Sequence, residues 1–152
     1  MKIRFAKLVD IPALQKVAEE TELFPSEMLF RMVDPFLSGE NEESQWLVCE
    51  VDESAIGFCY SAREQLTDGT WNMLAIAVLS SKQGVGVGAA LASRLEYVIR
   101  NVGARVLIAD TSGTKKFERT REFYRKIGFA EEARIRDFWS EGDDKVTFWK
   151  KF

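Results

Sequence analysis

From Lys2 to Leu8 apolar and polar residues alternate with the two-residue period of a strand. Asp10 then offers an N-cap and Pro12 suits a first helical turn, with Ile11, Leu14, Val17 and Ala18 on one helical face. Between Phe24 and Leu37 the apolar positions Phe24, Met28, Leu29, Met32, Val33, Phe36 and Leu37 again follow a helical period. Pro25 and Pro35 interrupt that period, which predicts a short or broken helix ending at Ser38-Gly39. After an acidic loop, Gln45–Val51 and Ala55–Ala62 are two strand-like runs joined at Asp52-Glu53-Ser54, a hairpin pattern. Thr67-Asp68-Gly69-Thr70 is turn chemistry. The run Trp71–Leu79 behind it is almost wholly apolar, as in a central strand buried on both faces.

Glycines punctuate the rest. Leu91, Leu95 and Val98 mark a helix that stops at Gly103, before a strand over Ala104–Ala109. Near Thr114 a further helix begins, with Phe117, Thr120, Tyr124 and Ile127 on one face, Glu118/Arg121 and Glu122/Lys126 spaced to pair on the other, and Gly128 as its stop. Two strands around Ser140–Asp144 complete the order β-α-α-β-β-β-α-β-α-β-β. This is an α/β (α+β) pattern: a mixed, mostly antiparallel sheet of about seven strands flanked by about four helices. No repeat, linker or low-complexity tract divides residues 1–152, which read as one domain.

Composition removes several chemistries. The chain has no histidine, which excludes Ser-His-Asp and Cys-His nucleophile designs and HExxH zinc sites. Charged residues balance to a net charge of −3, which provides no field for gathering nucleic acid or an anionic membrane. No run approaches the roughly 18 apolar residues of a membrane span, and no basic-then-apolar leader opens the sequence. Cys49 and Cys59 lie in strand-like runs without CxxC spacing and read as reduced, buried residues of a cytoplasmic protein. No metal site is expected.

The remaining chemistry centres on Gln83-Gly84-Val85-Gly86-Val87-Gly88-Ala89, directly behind the apolar strand. Glycines at alternate positions allow a tight turn, and the first amides of the next helix have no intrahelical acceptor, so they converge on an external anion. A pyrophosphate could be held there without a basic patch. Two other readings stay open: a glycine turn that only packs strand against helix, and a GxGxxA dinucleotide loop with Asp110 as its ribose acid. The absence of GK[ST] excludes a P-loop.

Gln83-Gly84-Val85-Gly86-Val87-Gly88 fits [QR]-x-x-G-x-[GA], preceded by the strand Leu74–Val78, and Phe123-Tyr124-Arg125-Lys126-Ile127-Gly128-Phe129 fits FYxKxGF. With both segments the chain resembles the GNAT superfamily, the Gcn5-related N-acetyltransferases, over nearly its whole length. The resemblance implies acetyl-CoA as co-substrate. Backbone groups of Ile76, Ala77 and Val78 would hold its acetyl and pantetheine portion, and Gln83 to Ala89 (Gln83, Gly84, Val85, Gly86, Val87, Gly88 and Ala89) its pyrophosphate. Tyr124 matches the family tyrosine that protonates the departing thiolate; without that context it reads as a core aromatic. The chain differs from many members in Phe117, where an asparagine is common, and in Thr120, where an alanine is.

The implied reaction is direct acetyl transfer to the amine of a small-molecule or amino-acid-like acceptor. A non-catalytic acyl-CoA-binding module is the alternative. Losing the acceptor's ammonium proton requires a carboxylate or a water chain leading to one, for which Asp110, Glu64 and Asp68 are candidates. Trp71, Tyr60, Phe138, Trp139 and the Phe24–Phe36 helix could line the acceptor side, and Asp143-Asp144 could attract a cation. A fuller string, Thr111-Ser112-Gly113, Phe117–Arg121, Asp137-Phe138 and Gly142–Lys145, resembles a subgroup of the family without implying a substrate. The terminal strands suit edge pairing into a homodimer.

Overall fold

The computed structural model describes residues 1–152. Seven strands form one sheet in the order β1-β2-β3-β4-β5-β7-β6. They are β1 (Lys2–Phe5), β2 (Ser44–Val51), β3 (Ser54–Arg63), β4 (Thr70–Val78), β5 (Val106–Ser112), β6 (Ala130–Ser140) and β7 (Asp143–Lys151). The helices are α1 (Ile11–Glu20), α2 (Leu29–Leu37), α3 (Val87–Arg100) and α4 (Glu118–Lys126), so the element order is the one the sequence predicts. Only β4 and β5 pair in parallel, with α3 as the crossover between them. Strands β1 and β6 are the edges, and the last strand, β7, is internal.

Strand alternation divides the apolar residues into two cores, one on each face. Trp46, Val48, Phe58, Ala75 and Ala77 meet Leu14, Val17, Leu29 and Val33 of α1 and α2. Leu47, Cys59, Trp71, Met73, Leu107 and Phe148 meet Leu91, Leu95, Ile99 and Tyr124 of α3 and α4 on the other. The cysteines are free and buried. Truncating Leu14 or Leu91, both fully buried, costs about 2–5 kcal/mol by the usual cavity penalty.

Three local features differ from the sequence reading. Asp10 does not cap α1 with its side chain. It ends a 3-10 turn, where it accepts from the Lys7 amide at 2.7 Å and takes both Arg4 Nη atoms at 2.8 Å, while Arg4 also reaches Glu50. The guanidinium of a neighbouring strand outcompetes the helix amides for this carboxylate. Arg121 does not pair with Glu118; it donates to the carbonyls of Ser112 and Thr114 at 2.8 and 2.7 Å, tying α4 to the end of β5. In β4, Leu74 is 51% exposed, because the register slips from Tyr60↔Ala75 to Ser61↔Met73 and leaves Leu74 as a bulge.

Candidate active site

The bulge determines the shape of the site. β4 and β5 pair only from Thr70↔Val106 to Asn72↔Ile108, while β4 stays on β3 as far as Val78 and β5 stays on β7 as far as Ser112. Beyond Asn72 the two strands diverge, leaving a cleft with one unpaired edge of β4 as a wall. The Leu79 amide donates to the Ile56 carbonyl, so by antiparallel alternation Ala77 exchanges hydrogen bonds with Phe58, while Ile76 and Val78 turn theirs to the cleft. The Val78 carbonyl is taken by Gln83 Nε2 at 2.9 Å. Gln83 thereby clamps the glycine loop against the end of β4, and Ile76 retains free backbone groups on the cleft.

Gly84 and Gly86 have φ of +79° and +92°, values L side chains rarely adopt, and Gly86 is the residue that starts α3. A Cβ on either would meet nothing within 4 Å, so their surface is open. The first loop bond inside α3 is Ala90 N–H to Gly86 C=O, and no amide from Gly84 to Ala89 donates to a backbone acceptor. These donors and the dipole of a three-to-four-turn helix point to one place, which suits a pyrophosphate. Gly88 plays a packing role: a Cβ there would sit 3.2 Å from the Phe123 ring, so its absence lets α3 and α4 close together.

Tyr124 of α4 lies in the α3-side core, 4% exposed and packed on Phe129 and Phe148 with ring centroids 5.6 and 5.2 Å away. Burial, then the nearby Asp110 charge and Cys59, push its hydroxyl well above the usual tyrosine range. The Gly128-Phe129 end of the motif is a helix stop. Gly128 has φ +96°, Phe129 N–H returns to Tyr124 C=O, and Gly128 N–H returns to Arg125 C=O, a Schellman closure that fixes the Tyr124 turn.

The carboxylate candidates separate clearly. Asp110 is two residues past the last β4–β5 pair, level with the bulge, and accepts from Thr147 Oγ1 at 2.6 Å. Glu64 accepts from Asn72 Nδ2 at 2.9 Å. Asp68 projects into solvent on the Gly69 turn. Trp71 is in the α3-side core, away from the acceptor face, and Tyr60 stacks on Trp46 at 4.4 Å beneath α1 and α2. Asp143 and Asp144 are occupied, by Ser112 Oγ at 2.5 Å and by Arg134 Nη1 at 2.9 Å; the first ties β7 to the end of β5 and the second braces the β6–β7 hairpin. Asn72 escaped the sequence reading. It is 6% exposed at the vertex of the cleft, its Oδ1 has no partner, and its only trace in the sequence is an amide within an apolar run.

A family description, acetyltransferase (GNAT) domain, matches residues 42–131, more than half of the chain, from β2 through α4. The chain belongs to the GNAT acetyltransferases. A protein of Desulfovibrio desulfuricans assigned to the same family has a TM-score of 0.92 at 29% identity, over 99% of this chain and 98% of that one. Two further structures share the fold. An aminoglycoside 6′-N-acetyltransferase complexed with coenzyme A has 18% identity, a TM-score of 0.81 and coverage of 99% and 97%. The protein yncA of Salmonella typhimurium, solved with acetyl-CoA, has 20% identity, a TM-score of 0.80 and coverage of 99% and 93%. No curated protein matches the chain in sequence. Family membership and the antiparallel β2–β4 meander rule out the dinucleotide reading of the GNAT glycine loop. No helix is long and apolar enough to cross a membrane.

Proposed function

We propose that residues 1–152 act as one catalytic domain that transfers the acetyl group of acetyl-CoA to the amine of a small-molecule acceptor. The observation that carries this reading is the set of Gly84–Ala89 amides without backbone acceptors, beside the β4 edge that parts from β5 after Asn72. The relatives solved with coenzyme A or acetyl-CoA support the same cofactor. Acetyl-CoA supplies an activated thioester, so no covalent enzyme intermediate is needed.

In this reading the amides of Gly84 to Ala89 bind the pyrophosphate, and Gln83 holds their loop in place. Ile76 offers its N–H to the thioester side of the cleft, where donors aimed at a developing oxyanion lower the barrier. Val78 turns its N–H to the same wall, whereas Ala77, expected beside them, spends its backbone groups on Phe58. Asp110 takes a proton from the acceptor ammonium; the amine nitrogen then bonds to the acetyl carbon, the carbon–sulfur bond breaks, Tyr124 protonates the departing sulfur, and the second proton the nitrogen sheds restores Tyr124 through solvent while Asp110 releases its own to solvent. The products are an amide and a free thiol. Free, buried Cys49 and Cys59 suit a reducing compartment such as the cytoplasm.

Thiol release from acetyl-CoA across an amine panel tests the reading. Release with saturable acceptor dependence is expected. Binding of acetyl-CoA without release to any amine would replace the enzyme by a non-catalytic acyl-CoA-binding module.

A further inference from the structure

On the face that α1 and α2 cover over β1–β4, the β5–β7–β6 half carries no helix, and there Asp110, Thr147 and Lys145 share one side of the ladder. Their neighbours Val146 and Phe148 point into the opposite core. Lys145 Nζ stands 3.9 Å from Asp110 Oδ2, the outer limit of an ion pair, with both side chains under one-fifth exposed. Lys145 makes no hydrogen bond and instead lies 4.1 Å from the centre of the Phe138 ring. A pair at this distance leaves the ammonium's hydrogen-bond donors free for a second, closer anion. At the vertex of the same cleft, buried Asn72 Oδ1 lacks a donor. This face of the cleft thus carries two acceptors, Asn72 Oδ1 and Asp110, and a cation paired with Asp110 only at 3.9 Å and without a hydrogen bond.

The unassigned string of the sequence builds the remaining wall. Residues 136–139 leave the β6–β7 ladder, Asp137 has φ +54°, and its amide donates to Asp144 Oδ1 at 3.0 Å while its carboxylate accepts from Gly142 at 2.9 Å. Trp139 Nε1 donates to the Thr111 carbonyl at 3.3 Å. Phe138 and Trp139 are therefore held half-exposed (48% and 49%), at right angles with ring centroids 4.7 Å apart. Two aromatic rings kept in solvent by this many ties are placed for contact, not for core packing.

We propose that the acceptor is a free α-amino acid with an apolar side chain. Its ammonium sits between Asn72 Oδ1 and Asp110, its carboxylate on Lys145, and its side chain against Phe138 and Trp139. This rests on the N-acetyltransferase reading above and adds the carboxylate requirement.

The test is kcat/KM for thiol release with phenylalanine, phenylalaninamide and 2-phenylethylamine, each run beside acetyl-CoA binding by thermal melting. Phenylalanine should exceed both analogues at least tenfold, Lys145→Met should collapse that ratio toward one, and Lys145→Arg should restore most of it. Analogues used as well as phenylalanine, a ratio that survives Lys145→Met in protein that still binds acetyl-CoA, or no transfer to phenylalanine by such protein would each overturn the proposal while leaving the cofactor site standing. Failure of the wild-type chain to bind acetyl-CoA would overturn both readings.

Discussion

Tyr124 carries the leaving-group proton in this mechanism, and its surroundings keep it protonated. Burial and the Asp110 charge both disfavour the phenolate, so the folded value lies above the usual tyrosine value of about 10. A rate that depends on protonated Tyr124 is therefore retained as pH rises and lost only above that raised value. A pH profile of kcat should show no loss from this group below about pH 10. Tyr124→Phe should lower kcat by about 10²-fold or more with little change in acetyl-CoA affinity, read by thiol release and melting. Asp10 gives a stability counterpart. Burial opposes its ionisation, but the Arg4 hydrogen bonds and the Lys7 amide outweigh burial and hold it below the usual carboxylate range. Its contribution is present above the unfolded value near 3.9 and lost as pH falls through the depressed folded value. Asp10→Asn should cost about 2 kcal/mol near neutral pH and flatten the acid limb of stability, measured by urea unfolding at several pH values. The helical period put Tyr124 on the buried face of α4, where it is found, whereas Asp10 was misread because its partner Arg4 reaches it across the β1 turn, which no helix-capping pattern encodes.

Elements carry the next level. The periodicities gave all seven strands and four helices in order, because most elements bury one clear stripe or face; β6, exposed throughout, is marked instead by the turn that joins it to β7. The bulge at Leu74 was not legible: it needs no special residue type, and an exposed leucine inside an apolar run looks like core until the register on β3 is known. Without that bulge the cleft would not open where it does, so the most functional piece of geometry was the least visible in sequence. The glycine positions were legible, since strand-loop-helix order already demanded positive φ. Gly86→Ala meets no steric neighbour and acts through φ alone. It should cost about 1–2 kcal/mol in strain, a fall in Tm of a few degrees, and should weaken acetyl-CoA binding. Gly128→Ala should cost a similar amount in stability through the Schellman turn and lower kcat through displacement of Tyr124, a split that melting and kinetics together would reveal.

At the scale of the molecule, the sheet is two units, β1–β4 and β5–β7–β6, joined by a short parallel seam and by α3. In the proposed mechanism substrates enter where the seam ends, and each unit supplies part of the chemistry: Ile76 and the glycine loop from one side, Asp110, Lys145 and Tyr124 from the other. The acceptor side was poorly legible because its residues lie far apart in sequence, from Asn72 to Lys145, and meet only through the β5–β7 register. The β6 edge carries Glu131, Glu132, Arg134 and Arg136, charges of the kind that discourage further strand pairing. The central claim is that the Gly84–Ala89 amides hold acetyl-CoA. It is tested most directly by melting the chain with acetyl-CoA, coenzyme A and NADH, each in large excess. Acetyl-CoA and coenzyme A at about 100 times their dissociation constants should stabilise the fold by about 2.7 kcal/mol and NADH should not. No shift with either coenzyme A species would contradict it.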